Sequence, residues 1–184
     1  MTTLMERHMA KLEAAEDLER AVYRAALAWY EPARKAAEAR GRMVQAAQRE
    51  EVAVAEVRRI LQEFEGRDPE FGHDLWRLYN SGQLTRENIG EGGGQRIKDL
   101  LTAESGLGKA REEATRTQQR SSDAAAAANA LYGGVLRALD AFRQSVTLEV
   151  YEGVEKVFNV QNGANPDTIA DSCKTRLQVL GEKA

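Results

Sequence analysis

The residue types most suggestive of chemistry lie in one stretch, NIGEGGGQRIKDLLTAESGLGKAR, residues 88–111. Glycines followed by a Gly-Lys pair occur in loops that bind nucleotide phosphates. A P-loop also needs a glycine five residues before the second glycine and a hydroxyl after the lysine, but Ala103 and Ala110 occupy those positions around Gly108-Lys109. The dinucleotide fingerprint fails as well, because no buried strand precedes GEGGGQ. We therefore expect no nucleotide site, and we expect the glycines to bend the chain twice.

The titratable side chains form no catalytic or metal-binding pattern. His8 and His73 are the two histidines, and neither has a Cys or His at metal-ligand spacing. Cys173 is the single cysteine, so no intrachain disulfide is expected, and its place on an apolar stripe predicts a buried side chain. The sequence thus predicts a protein that is not an enzyme, with no catalytic residue, cofactor, metal or small-molecule substrate.

Composition limits the class of partner. The chain is 42% apolar, 6% aromatic and 30% charged, with a formal charge of −3. A near-balanced charge gives no global basic field for nucleic acid or anionic lipid, so neither a nucleic acid nor a membrane is expected as a partner. No secretory signal or membrane span is evident. The expected location is the cytoplasm, or a particle (virion) assembled there.

Two stretches show the 4-3 apolar spacing of coiled coils, and we call the apolar stripe of each stretch a seam. The first runs from Leu4 to Phe64 without a slip in register, and the second runs from Leu100 to Val146. Within the second, REEATRTQQRSSD (residues 111–123) is polar on all sides, so it is expected to be exposed or held by polar partner contacts. The many alanines predict a thin seam.

A different kind of sequence separates the two seams. Asp68 and Pro69 predict a helix start, Asn80-Ser81-Gly82 predicts its end, and Thr85 predicts a second short helix. After the second seam, Asn165-Pro166 predicts one more helix, which Gly181 ends.

The predicted fold class is all-α. It is an elongated antiparallel helical hairpin of coiled-coil type with a small helical head between the long helices and a short C-terminal helix. The expected segments are a first arm at 1–65, a head with a glycine-rich loop at 66–104, a second arm at 105–158, and a loop with a short helix at 159–184.

Two sets of residues are candidate functional positions. Phe71, Trp76 and Tyr79 place aromatic side chains in a small head, where they either dock onto a partner or fill the head's own core. Pro32, Gly133 and Gly134 interrupt the two seams and predict a shared hinge, or else a fixed kink or a close helix crossing. If Phe64 lies opposite roughly Gly106, Pro32 faces about Ala138.

The predicted function is a non-enzymatic structural or adaptor subunit. Alanine seams bury little area, so stability is expected to require packing against copies of itself or other protein subunits. In composition and architecture alone, the chain resembles structural subunits of large assemblies, including bacteriophage virion components. The alternative is a DNA-associated coiled-coil protein whose helix-turn-helix-like head presents Gln95, Arg96 and Lys98. Against it, residues 66–104 hold five Lys or Arg and seven Asp or Glu.

Overall fold

The computed structural model describes residues 3–90, 94–158 and 166–182. These residues form helices and no strand, which confirms the all-α prediction. The helices are α1 (Leu4–Arg67), α2 (Pro69–Asn80), α3 (Arg86–Ile89), α4 (Gly94–Arg143), α5 (Leu148–Phe158) and α6 (Pro166–Val179). Within these ranges, no helix combines the length and the apolar character needed to cross a bilayer.

The chain divides into two compact units. Unit 1 comprises Met1–Ala39 and Ser121–Ala184, and unit 2 comprises Arg40–Arg120. Each unit has its own apolar core. The buried side chains of both cores are hydrophobic. Among the described residues, no polar or charged side chain is buried.

Unit 1 is built on parts of α1 and α4 together with α5 and α6. Its core contains Val22, Tyr23, Ala26, Val135, Leu139, Phe142, Val154, Phe158, Ile169, Cys173 and Leu177. The Trp29 and Tyr132 rings lie 5.5 Å apart between centroids and join α1 to α4. The end of α6 is tied to α1, because the Arg20 guanidinium donates to the Leu180 carbonyl at 3.0 Å.

Unit 2 packs α2, α3 and the first part of α4 against the second part of α1. Its core contains Val57, Ile60, Leu61, Leu75, Leu84, Ile97, Leu100 and Leu107. Cross-helix ion pairs join Arg49 to Glu113 at 3.0 Å, Glu50 to Arg111 at 3.5 Å, and Glu63 to Arg96. Residues later in α1 pair with residues earlier in α4, so the two helices run in opposite directions in unit 2.

The second long helix differs in extent from the predicted arm at 105–158. It begins at Gly94, where the glycine has a φ of +55°, and it ends at Arg143. The helix also passes through Gly106 and Gly108, so the expected bend at these glycines is wrong. The side chain between them, Leu107, is fully buried in the unit 2 core, and this packing offsets the roughly 1 kcal/mol that each glycine costs a helix.

The predicted second arm is interrupted before residue 158. The Ser145 N–H donates to the Phe142 carbonyl at 2.9 Å in a turn that ends α4. A new helix then starts, with the Tyr151 N–H donating to the Thr147 carbonyl at 3.1 Å. The hydroxyl and β-branched residues of this connection disfavour continuation of the helix, so α5 forms separately.

The pairing register in unit 2 also differs from the expected one. The Glu63–Arg96 ion pair places Phe64 beside the first turns of α4, near residue 96 and not near Gly106. The reason is that α4 begins before the second seam does, which lengthens its N-terminal end.

The predicted helix ends are found where the chain is described. The Asp68 carboxylate accepts from the Phe71 N–H at 3.1 Å, and the Thr85 hydroxyl accepts from the Asn88 N–H at 3.4 Å. At the end of α2, Gly82 has a φ of +69°, which favours glycine. The bond from Gln83 N–H to Leu78 carbonyl, 2.8 Å long, completes a Schellman motif.

The same motif closes α6. Gly181 has a φ of +83°, and the Glu182 N–H donates to the Leu177 carbonyl at 3.0 Å. The predicted cap at Asn165 and the loop before it lie outside the described residues.

Candidate functional site

The aromatic residues of α2 pack against the core of unit 2, to which α1 also contributes. Phe71 is half-buried, and its ring meets the Phe64 ring edge-on at 5.8 Å between centroids. Trp76 and Tyr79 are also half-buried and pack edge-on with each other at 6.0 Å. All three contact the unit 2 core, so part of each ring is buried within the chain and part remains accessible.

Glu65 of α1 fixes the orientation of Trp76. The indole N–H donates to a Glu65 carboxylate oxygen at 3.1 Å, in a partly buried setting. The other carboxylate oxygen lies 3.7 Å from His73 Nε2. One side chain of α1 therefore contacts two side chains of α2.

A close backbone contact lies beneath these residues. Gly72 is buried, and a Cβ atom at this position would lie 2.6 Å from the Glu65 backbone nitrogen. Real Cβ atoms do not approach a backbone so closely, so α2 can pack here only through a glycine. Neither Gly72 nor Glu65 was identified by sequence reasoning. The signal was a glycine inside a short amphipathic helix, which costs stability unless a close contact requires it.

No known protein family, curated protein or solved structure matches this chain significantly. Its function is therefore inferred from its own helices and side chains.

The predicted hinge residues all lie within unit 1. Helix α1 continues through Pro32, and α4 continues through Gly133 and Gly134. Trp29 of α1 contacts Tyr132 of α4, Pro32 follows Trp29 by less than one turn, and Gly133 follows Tyr132 directly. The three residues thus lie close to one contact between α1 and α4, and the hinge itself stays a prediction.

The glycine-lysine pair that suggested phosphate binding lies inside a helix. Gly108 and Lys109 belong to the middle of α4, so their N–H groups are within the helical hydrogen-bonding pattern. A phosphate-binding loop instead presents such groups at a helix N-terminus.

A groove of about 520 Å³ between α1 and α4 in unit 2 is lined by charged side chains, most of which pair with one another. Arg59 pairs with Glu56 at 2.7 Å and with Glu63, which also pairs with Arg96. The hydrogen bond from Arg59 lowers the pKa of Glu56. Because these acids and bases neutralise each other, the groove presents little charge to a ligand.

Two further titratable groups, Tyr23 and Cys173, lie in the core of unit 1. Burial raises the pKa of the Cys173 thiol to about 12. Burial, and then the neighbouring Glu19 carboxylate, raises the pKa of Tyr23. Among the described residues, no three or more His, Cys, Asp or Glu side chains are grouped to hold a metal ion.

Proposed function

We propose that this protein is a non-enzymatic structural or adaptor subunit that assembles through helical packing into an oligomer. The observation that supports this proposal is an exposed apolar face at the start of α1. Leu4 and Met5 are 87% and 74% exposed, and Met9 and Leu12 are each 48% exposed. We name these four side chains the N-terminal apolar face.

This face continues the one that forms the core of unit 1. Leu4 precedes Val22, and Met5 precedes Tyr23, by eighteen residues, which is five turns of an α-helix. Leu4 and Met5 therefore lie in line with Val22 and Tyr23, which are 0% and 1% exposed. The same helix face is thus covered downstream by α4, α5 and α6 but uncovered at its start.

We propose that the N-terminal apolar face packs against the same face of a second copy of this protein. Leucine and methionine at this spacing suit packing between helices. The segment also carries charges of both signs, Glu6 and Glu13 with Arg7 and Lys11, so two copies are electrostatically compatible. A symmetric pairing would bury both apolar faces at once.

Two finer proposals accompany this one. The first is that the long helices form an elongated antiparallel hairpin of coiled-coil type, which the order of the ion pairs in unit 2 supports. The second is that the assembly is a bacteriophage virion or an intermediate of its construction in the cytoplasm. Its support is the Ala/Glu/Arg-rich helical composition, which is typical of long helical subunits.

No specific contact favours base reading by the helix-turn-helix-like head of the alternative, a DNA-associated coiled-coil protein. Two of the three side chains that would read bases have partners within the chain. Arg96 pairs with Glu63, and the Gln95 amide donates to Asp99 at 3.0 Å.

The mass of the protein in solution, measured across a concentration series, tests the proposal. We expect an oligomer that dissociates on dilution. Serine at Leu4, Met5, Met9 and Leu12 should give a monomer with nearly unchanged helix content. The matched control is serine at four exposed apolar positions elsewhere, Val44, Val52, Leu148 and Val179, which should keep the oligomer. A wild-type monomer at every concentration would refute the proposal.

A further inference from the structure

A second groove in unit 2 has a different electrostatic character. It lies between α1 and α4 and has a volume of about 410 Å³. Its lining is Arg42, Gln45, Arg49, Glu113, Arg116, Thr117 and Arg120. Four guanidinium groups therefore face one carboxylate. We name this the arginine groove.

Most of this positive charge has no partner among the described residues. Glu113, the only acid among the described lining residues, pairs with Arg49 at 3.0 Å. Arg42, Arg116 and Arg120 form no ion pair or side-chain hydrogen bond with any described residue. The nearby Glu50 carboxylate is held by Arg111 at 3.5 Å. The groove thus keeps an excess of about three positive charges, unlike the groove around Arg59 and Arg96.

The polar stretch of α4 supplies four of the seven lining residues. Arg116, Thr117 and Arg120 belong to the sequence that is polar on all sides, and no apolar core explains their residue types. Arg116 and Arg120 are about 6 Å apart along the helix axis, and Arg42 and Arg49 are about 10.5 Å apart along α1. Each strand of a nucleic acid duplex carries a phosphate about every 3.4 Å of its axis, so several phosphates fall within reach of the four side chains.

We propose that the arginine groove binds the phosphate backbone of a nucleic acid duplex without reading its sequence. Arginine contacts phosphate oxygens through two parallel hydrogen bonds, and glutamine and threonine are also common phosphate donors. Gln45 and Thr117 provide such groups beside the arginines. This site is independent of the N-terminal apolar face, so either proposal can fail without the other.

The lining distinguishes a duplex from other polyanions. An acidic protein segment is normally anchored by apolar or aromatic contacts, and none of the lining residues is apolar or aromatic. Single-stranded nucleic acid is held largely by stacking of bases on aromatic rings, which the lining also lacks. Phosphate contacts alone suit a duplex, whose bases are already stacked. With a whole-chain charge of −3, binding should be weak and strongly dependent on salt.

Fluorescence anisotropy of a labelled duplex DNA of random sequence, titrated with the full chain at low salt, tests this proposal. Replacing Arg42, Arg116 and Arg120 together by alanine should weaken binding by at least about tenfold. The slope of log affinity against log salt should become shallower by roughly 0.9 for each phosphate that the variant no longer neutralises. The matched control replaces Arg58, Arg67 and Arg137, which are exposed and lie outside the groove. It makes the same change in net charge and should bind like the wild type.

A gain-of-affinity variant keeps the test decisive if the triple variant is unstable. Glu113→Gln removes the only carboxylate of the lining and releases Arg49, so affinity for the duplex should rise severalfold. Equal losses of affinity in the groove and control triples would overturn the proposal. So would tighter binding to single-stranded DNA, or displacement of the duplex by a polyglutamate peptide at lower concentration than by unlabelled duplex.

Discussion

Gly72 of α2 lies against the backbone of Glu65 in α1, so closely that no side chain fits between them. The same Glu65 accepts a hydrogen bond from Trp76, one turn further along α2. Both the backbone and the side chain of this single α1 residue thus contact α2.

We expect Gly72→Ala to destabilise the protein by about 1–3 kcal/mol, the usual cost of forcing extra volume into a packed contact. The measurement is urea denaturation followed by circular dichroism. Gly41→Ala is the matched control, since Gly41 lies inside α1 with open space around it. That change should raise the free energy of unfolding by up to about 1 kcal/mol. Equal stability of the two variants would contradict the close contact.

The aromatic residues of α2 can be tested for a role in docking. Trp76→Ala should reduce assembly, measured by sedimentation, while helix content stays nearly unchanged. Trp76→Phe is the matched variant, because it keeps a ring beside Tyr79 but removes the hydrogen bond to Glu65. Global unfolding of Trp76→Ala would show that Phe71, Trp76 and Tyr79 serve the core of unit 2 instead.

The proposed hinge predicts a change in both stability and dimensions. Combining Pro32→Ala with Gly133→Ala and Gly134→Ala should raise the melting temperature, because proline costs a helix interior about 3 kcal/mol and glycine about 1 kcal/mol. An added methyl group is tolerated at both glycines, where the nearest contact is Arg137 at 3.6 Å from position 133. Small-angle scattering should also show a larger maximum dimension.

The control for this prediction uses glycines elsewhere in α4. Gly106→Ala with Gly108→Ala should raise the melting temperature without altering the scattering, since both positions have open space and belong to unit 2, whereas Pro32 belongs to unit 1. Identical scattering curves for the hinge variant and the wild type would argue for a fixed geometry at Pro32.

Burial of Cys173 predicts a specific dependence of stability on pH. The folded-state pKa is raised from 9.0 to about 12, so below pH 9 the thiol is protonated in both states and its contribution to stability is complete. Between pH 9 and pH 12 the unfolded chain releases this proton first, and the contribution disappears. The destabilisation caused by Cys173→Ala, measured by denaturation at several pH values, should therefore shrink across this window. A constant difference would contradict the burial.

Helix ends were predictable because their causes are local. Asp68, Thr85 and Gly82 act on backbone groups within a few residues, so their types and positions carry the necessary information. The apolar stripe of α6 was predictable for a similar reason. Ile169, Cys173 and Leu177 follow helical spacing, and all three are buried.

Features that depend on tertiary contacts were not predictable. Gly106 and Gly108 signalled a bend, but burial of Leu107 between them keeps α4 helical. Gly72 is required by the backbone of another helix, and no local pattern reveals that neighbour. The division of the chain near Ala39 left no mark on the first seam, whose apolar spacing is uniform there, whereas the division near Ser121 falls within the polar stretch at 111–123. Among the candidate sites, the arginine groove needed residues from two helices to be seen together.

The ion pairs within α1 have a consequence for the order of folding. Arg34 pairs with Glu31 and Glu38, and Arg59 pairs with Glu56 and Glu63, always three or four residues away. Each such pair stabilises an isolated helix by about 0.2–0.5 kcal/mol, and none requires a long loop to close. Turns of α1 should therefore form within microseconds, ahead of the contacts that join distant parts of the chain, and the slower step is the search for a matching partner surface.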